Sequence, residues 1–256
     1  GWPKLIQNLW YATEDNGVAA LLYAPSEATI KVANGNKVRI IEETEYPFGN
    51  TVKFTVRLDK EELFPFHLRI PAWCDSAVIK VNGKTWMQPK SNQVVKLHRS
   101  WKNNDVVELV LPMRTRISRW FNNSAGVERG PLVYALKINE QWKNVDSSDR
   151  FGAYREVHPQ SAWNYGLLNA AVRNVDSAFQ FVKIKPVSNN PWNLQDAPVA
   201  IKVKGKTIPE WTLYNETAGP IPYSNIRYLR DQPAEEITLI PYGCTTLRIS
   251  QFPVIE

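Results

Sequence analysis

Apolar and polar residues alternate along most of this chain with a period of two. Val52, Phe54, Val56 and Leu58 fall on one side of an extended segment and Thr51, Lys53, Thr55 and Arg57 on the other, which is the pattern of a half-buried antiparallel strand. Phe64, Phe66, Leu68 and Ile70 repeat it, with His67 and Arg69 outward, until Pro71 removes a ladder donor. Val78 to Val81 run into Asn82-Gly83, a hairpin signal because both positions accept a positive φ. Asn34-Gly35 marks an earlier turn. Val106 to Leu111 predict a strand stopped by Pro112, and Ile117 with Trp120 continue the theme. Further strands are expected at Pro131 to Ile138, Phe179 to Ile184, Val199 to Val203, Ile237 to Ile240 and Thr246 to Ile249. Short strands separated by turn signals every ~8–12 residues indicate an all-β chain built of antiparallel β-sandwiches.

Two stretches break the pattern. Trp2, Leu5, Ile6 and Leu9 stand at i, i+3, i+4 and i+7, and Pro3 is tolerated in a first turn, so the opening residues predict a helix that Asp15-Asn16-Gly17 follows with a turn. A lone helix of about ten residues is marginal in water, and this one has no partner stripe nearby. It reads as the end of something larger, or as an apolar interaction patch. Residues 139–166 form an aromatic and polar insertion, and a loop of that length usually serves function or packs on a neighbour. The predicted layout is a helical remnant or linker over residues 1–15, one sandwich over 16–130 and a second over 131–256, with the boundary near 126–140. The last strands are free to return to the first sandwich.

Composition removes several classes of function. The 256 residues are 43% hydrophobic and 22% charged, unlike a disordered chain. No apolar run approaches the ~18 residues of a membrane span, and Gly1 opens the chain without a charged or apolar leader, which predicts no membrane partner and no signal peptide in this sequence. The net charge of +6 is spread over alternating sets such as Lys202, Lys204 and Lys206 or Arg114 and Arg116. These read as solvated strand faces rather than a dense basic stripe interleaved with aromatics, so no nucleic-acid partner is expected.

The residues of common catalytic constellations are sparse. His67, His98 and His158 are the three histidines, and none adjoins a nucleophile elbow. His67 and His98 read as strand-face residues, whereas His158 lies in the insertion. Cys74 and Cys244 are far apart, with no metal-ligand spacing around either; they read as buried thiols, and no cofactor is expected in this chain. The pairs Glu42-Glu43, Glu61-Glu62 and Glu235-Glu236 read as loop and edge charges, because adjacent strand residues point to opposite faces. Asp146, Asp149 and Glu156 remain as candidate sugar hydrogen-bonders. Sugars stack their C–H faces on aromatic rings, so Trp142, Tyr154, Trp163, Tyr165, Trp192 and Trp211 form either a carbohydrate platform or core and interface. The carbohydrate-contact candidates are Trp142, Tyr154, His158, Trp163, Asn164 and Tyr165.

Several blocks together resemble one family. Trp2-Pro3-Lys4 through Leu9-Trp10, Asn16-Gly17-Val18-Ala19-Ala20 and Tyr23-Ala24-Pro25-Ser26 are similar to a junction in glycoside hydrolase family 127-like proteins, which include β-L-arabinofuranosidases. His67-Leu68-Arg69-Ile70-Pro71-Ala72-Trp73, Val81-Asn82-Gly83, Glu128-Arg129-Gly130-Pro131-Leu132-Val133-Tyr134 and Trp163-Asn164-Tyr165 extend the resemblance over nearly the whole chain. It implies a parent with an upstream (α/α)6 catalytic barrel followed by β-sandwiches, the opening helix being the barrel's last. In the family a zinc-bound cysteine is thought to be the nucleophile and a glutamate the acid/base, both in the barrel. No catalytic residue therefore carries over to this chain, and zinc is expected in the barrel alone. The resemblance thus implies a truncated accessory region, inactive by itself, whose partners are that barrel and an oligosaccharide. Family members are often exported by plant-glycan-degrading bacteria. The rival readings are an independent carbohydrate-binding module and a structural interaction module.

Overall fold

A computed structural model describes residues 1–146, 150 and 152–256. The chain is nearly all β and separates into two compact units, Gly1–Met113 and Arg114–Glu256.

The first unit opens with α1 (Trp2–Gln7), β1 (Trp10–Ala12) and β2 (Val18–Ala20). It continues through β3 (Ser26–Val32), β4 (Asn36–Thr44), β5 (Thr51–Arg57) and β6 (Glu62–Ile70). The hairpin β7 (Val78–Val81) and β8 (Lys84–Met87) follows, then β9 (Gln93–Trp101) and β10 (Val106–Val110). One sheet has the order β1-β2-β6-β9 and the other β3-β4-β5-β10-β7-β8. The β2–β6 pair is parallel, whereas β6–β9 is antiparallel over nine residue pairs. The alternation read in the sequence determines what faces inward: Val52, Phe54 and Val56 from one sheet and Phe64, Phe66, Leu68 and Ile70 from the other are all buried. Phe54 meets Phe66 edge-to-face at 5.3 Å, and the buried Trp101 indole donates to the Phe64 carbonyl at 3.0 Å. Asn82 and Gly83 take φ of 49° and 77° in the β7–β8 turn, as their residue types predict.

The helix is shorter than the apolar spacing suggested. It ends at Gln7, and residues 10–12 go into β1 instead. Leu9 is buried, while Leu5 and Ile6 stay exposed. Glu42 also departs from expectation: it is neither a loop nor an edge charge but an inward residue of β4, 2% exposed, at the period-two position that follows Val38 and Ile40.

The second unit holds β11 (Thr115–Arg119), β12 (Ala125–Arg129), β13 (Leu132–Leu136), β14 (Glu140–Val145), β15 (Tyr154–Pro159) and β16 (Tyr165–Leu168). Two short helices, α2 (Asn169–Arg173) and α3 (Val175–Ala178), lead to β17 (Gln180–Lys183) and β18 (Val199–Thr207). A small hairpin, β19 (Leu213–Tyr214) and β20 (Thr217–Ala218), precedes β21 (Glu235–Pro241), β22 (Gln251–Phe252) and β23 (Val254–Ile255). The main sheet runs β11-β12-β13-β21-β18-β16-β23, with β17 on β18 and β22 on β12. Thr246 to Ile249 is not a strand, because the Thr246 and Leu247 amides are taken by the Glu140 carboxylate. Lys206 is not on a solvated face either. Its buried ammonium donates to the carbonyls of Leu229 at 3.0 Å and Arg230 at 2.5 Å, tying the turn around residues 226–232 to β18.

Candidate functional site

Within the insertion at 139–166, Glu140–Val145 and Tyr154–Pro159 form an antiparallel ribbon rather than a loop. Strands β14 and β15 pair from Glu140↔Pro159 to Val145↔Tyr154, outside the main sheet. Apolar and polar residues are mixed on both faces, with Trp142 and Val157 among Glu140, Asn144 and Arg155 on one side, so no hydrophobic alternation announces it. A free two-stranded ribbon is marginal in water, and this one is fastened at its base. Glu140 Oε1 accepts from the Thr246 amide at 2.8 Å, the Thr245 hydroxyl at 3.3 Å and the Leu247 amide at 3.4 Å. The Asn139 amide donates to Ser161 Oγ, and the Gln160 amide to the Asn139 carbonyl.

Period-two geometry sorts the candidates onto two sides of the ribbon. Trp142 lies on the side of Glu140 and Arg155, with the guanidinium 4.7 Å from its ring centre. Its indole N–H donates to Glu140 Oε2 at 3.2 Å, so one carboxylate both fastens the ribbon and aims the ring. Tyr154, Glu156 and His158 share the other side. The Tyr154 hydroxyl donates to Glu156 Oε1 at 3.3 Å, and His158 Nε2 lies 3.0 Å from Glu156 Oε2. The Glu156 charge raises the Tyr154 phenol above its usual range, so it stays a neutral donor. That row offers a phenol, a carboxylate and an imidazole to a polyhydroxylated ligand, and the opposite side offers an indole that is 45% exposed. Asp146 is exposed just beyond β14. Asp149 lies outside the described residues.

Trp163, Asn164 and Tyr165 belong elsewhere. Trp163 packs edge-to-face on the buried Trp211 at 5.2 Å, in a cluster with Ile208, Ile226, Leu229 and Ile255. The Asn164 side-chain amide donates to the Ile208 carbonyl at 2.8 Å. Tyr165 is buried and donates to Glu235 Oε1 at 2.9 Å; burial first, then that carboxylate, pushes its phenol up to about 12. The structure therefore gathers Tyr154 with His158, sets Trp142 back-to-back with them, and commits the other three to the packing of the second unit. Glu140 and Arg155 escaped the sequence reading. A period-two reading of Glu140-x-Trp142, ignoring hydrophobicity, is the signal that finds Glu140, whereas Arg155 reaches Trp142 only through the β14–β15 register.

Among the described residues no three His, Cys, Asp or Glu side chains gather where a metal ion could be held. Cys74 and Cys244 are each buried, with burial raising the Cys244 thiol to about 11.

The first unit's two-sheet core, with its Asn16-Gly17 turn and its Arg-Ile-Pro end of β6, is the part with a family match. Residues 17–113 match the β-L-arabinofuranosidase GH127 middle domain. The fold agrees beyond that stretch. A GH127 β-L-arabinofuranosidase from Geobacillus stearothermophilus T6 superposes with a TM-score of 0.65 and 21% identity, over 98% of this chain and 35% of its own. A second solved glycoside hydrolase gives 0.61 at 23% identity, over 95% of this chain and 37% of its own. A third, a GH127 β-arabinofuranosidase, gives 0.59 at 21%, over 94% and 35%. The chain thus spans about a third of the length of these three solved structures. No curated protein matches it.

Proposed function

We propose that this chain is the non-catalytic β-sandwich region of a glycoside hydrolase acting on plant-type glycans. In this reading it braces a separate catalytic barrel, which carries the zinc and the reacting groups, and lends the β14–β15 ribbon to the rim of the substrate cleft. The observation that carries the proposal is the GH127 middle-domain match over residues 17–113, combined with a chain that spans about a third of its structural relatives. It is supported by the ribbon's form, a polar arm fastened at one end by Glu140 and presenting hydrogen-bonding groups along its length. The test is turnover by the purified chain on an aryl arabinofuranoside. None is expected above the uncatalysed blank, and release that scales with protein concentration overturns the non-catalytic assignment.

A second reading, an independent carbohydrate-binding module, is favoured by one observation: Trp142 is held half-exposed by Arg155 and Glu140 rather than buried. Titration calorimetry against arabinose-containing plant polysaccharides separates the two. Heat that disappears in Trp142→Ala supports the module, and no heat in the unaltered chain leaves the bracing role.

A further inference from the structure

We propose that the Glu42 carboxyl is a protonation-dependent clasp, which in its neutral form holds the connection between β2 and β3 against the first unit's core and in its ionised form loosens it. The geometry carries this. Glu42 sits at an inward position of β4, opposite Ser26 on β3 and Phe54 on β5, and is 2% exposed. Oε1 accepts from the Ala24 amide at 3.1 Å, and Oε2 lies 2.9 Å from Ser26 Oγ. Ser26 Oγ in turn accepts from the Trp10 indole at 3.0 Å, which extends the chain of bonds to β1. Trp10 stacks on Phe66 and meets Phe54 edge-on.

The donors to Glu42 are neutral, and no cation is among them. A buried carboxylate without a cation is strongly disfavoured, and the acid form takes its place. As an acid, Glu42 keeps the Ala24 N–H on Oε1 and the Ser26 hydroxyl against Oε2. Desolvation pushes its pKa to about 8, against the smaller opposing pull of the Ser26 and Ala24 bonds. The other ionisable groups on this side are Tyr23, Tyr46, Arg69 and Cys74. Tyr23 is buried, donates to the Arg69 carbonyl at 2.5 Å, and is raised by desolvation far beyond this range. Tyr46, edge-to-face with Tyr23 at 6.0 Å, is raised by burial too. Arg69 directs its guanidinium Nε to the Leu21 carbonyl, and Cys74 is buried beyond Tyr46. Glu43, next on the strand, faces outward and pairs with Lys53 at 3.0 Å. Glu42 is thus placed to titrate between neutral and mildly alkaline pH, its proton passing to bulk water.

The sign follows from the raised pKa. Once the clasp opens, Glu42 returns to about 4.5, so opening releases a proton between about pH 5 and 8 and becomes easier as pH rises. The test is hydrogen exchange by mass spectrometry on peptides covering residues 21–28, from pH 5.5 to 9, corrected for intrinsic exchange. Protection is expected to fall on the order of a hundredfold between pH 5.5 and 8 and to level off above. In Glu42→Gln, which keeps the shape and cannot ionise, it should change by less than about threefold over the same range. A flat profile in the unaltered chain, or the same fall in both, overturns the proposal. A second readout needs no variant: the carboxyl carbon resonance of Glu42 should titrate near pH 8, and a midpoint near 4.5 overturns the clasp as well.

Discussion

The guanidinium of Arg155 lies 4.7 Å from the ring centre of Trp142, across a ribbon whose other side carries Tyr154. The two aromatic candidates of this arm therefore cannot stack on one face of one sugar. A ligand that engages Trp142 meets the indole and Arg155, and a ligand that engages Tyr154 meets Glu156 and His158. The ribbon is a two-sided arm, and its position depends on what holds its base.

That base predicts the first outcome. Glu140→Ala leaves the Thr246 and Leu247 amides without their acceptor and frees the Trp142 indole N–H. Charge-assisted bonds of this kind are worth about 1.5–3 kcal/mol. Limited proteolysis should cut within 140–159 several-fold faster than in the unaltered chain, while cleavage within the first unit keeps its rate.

Trp211 should matter for stability and not for surface binding. It is 4% exposed, packs on Trp163, and donates from its indole to the Gly219 carbonyl at 2.9 Å. Trp211→Ala is expected to cost about 3–5 kcal/mol, the range for deleting a buried aromatic ring. Urea unfolding followed in the second unit measures it.

Asp15 predicts a pH and salt dependence. Its carboxylate accepts from Thr13 Oγ1 at 2.5 Å, lies 3.1 Å from His67 Nε2 and 3.4 Å from Lys96 Nζ, and falls to about 2 because of the Thr13 bond first. A lowered carboxylate contributes stability above its unfolded value near 4, which is lost as pH falls toward 2. The side chain is 39% exposed, so solvent screening keeps the effect small. Asp15→Asn should lower stability at pH 6 by about 0.5–1 kcal/mol in dilute salt and by less in 1 M salt. Denaturant midpoints at the two ionic strengths report the difference.

Gly17 admits no side chain. A Cβ there would lie 2.2 Å from the Pro65 carbonyl oxygen, a backbone atom that cannot move aside. Gly17→Ala should destabilise the first unit by about 2 kcal/mol or more, as overpacked sites do, and thermal unfolding checks it.

Strands were legible in the sequence wherever one face is buried and the other wet. Val52, Phe54 and Val56, or Phe64 through Ile70, announce their faces by period-two hydrophobicity, and Asn82-Gly83 announces its turn by tolerance of positive φ. The ribbon was not legible as strands because each of its faces mixes polar and apolar residues, so the signal that marks a strand is missing even though the backbone pairs for six residues. Thr246 to Ile249 failed in the opposite way, its amides diverted to a side chain 106 residues earlier.

The sequence by itself determined the all-β class, the positions of most strands and turns, and the family resemblance, because these rest on local alternation and on residue types at fixed spacing. Tertiary structure alone decided that Glu42 is buried while Glu43 is not, that Trp142 and Tyr154 stand back-to-back, and that Trp163 packs on Trp211. Desolvation, strand register and long-range packing depend on which segments meet, and no local pattern of residues encodes that.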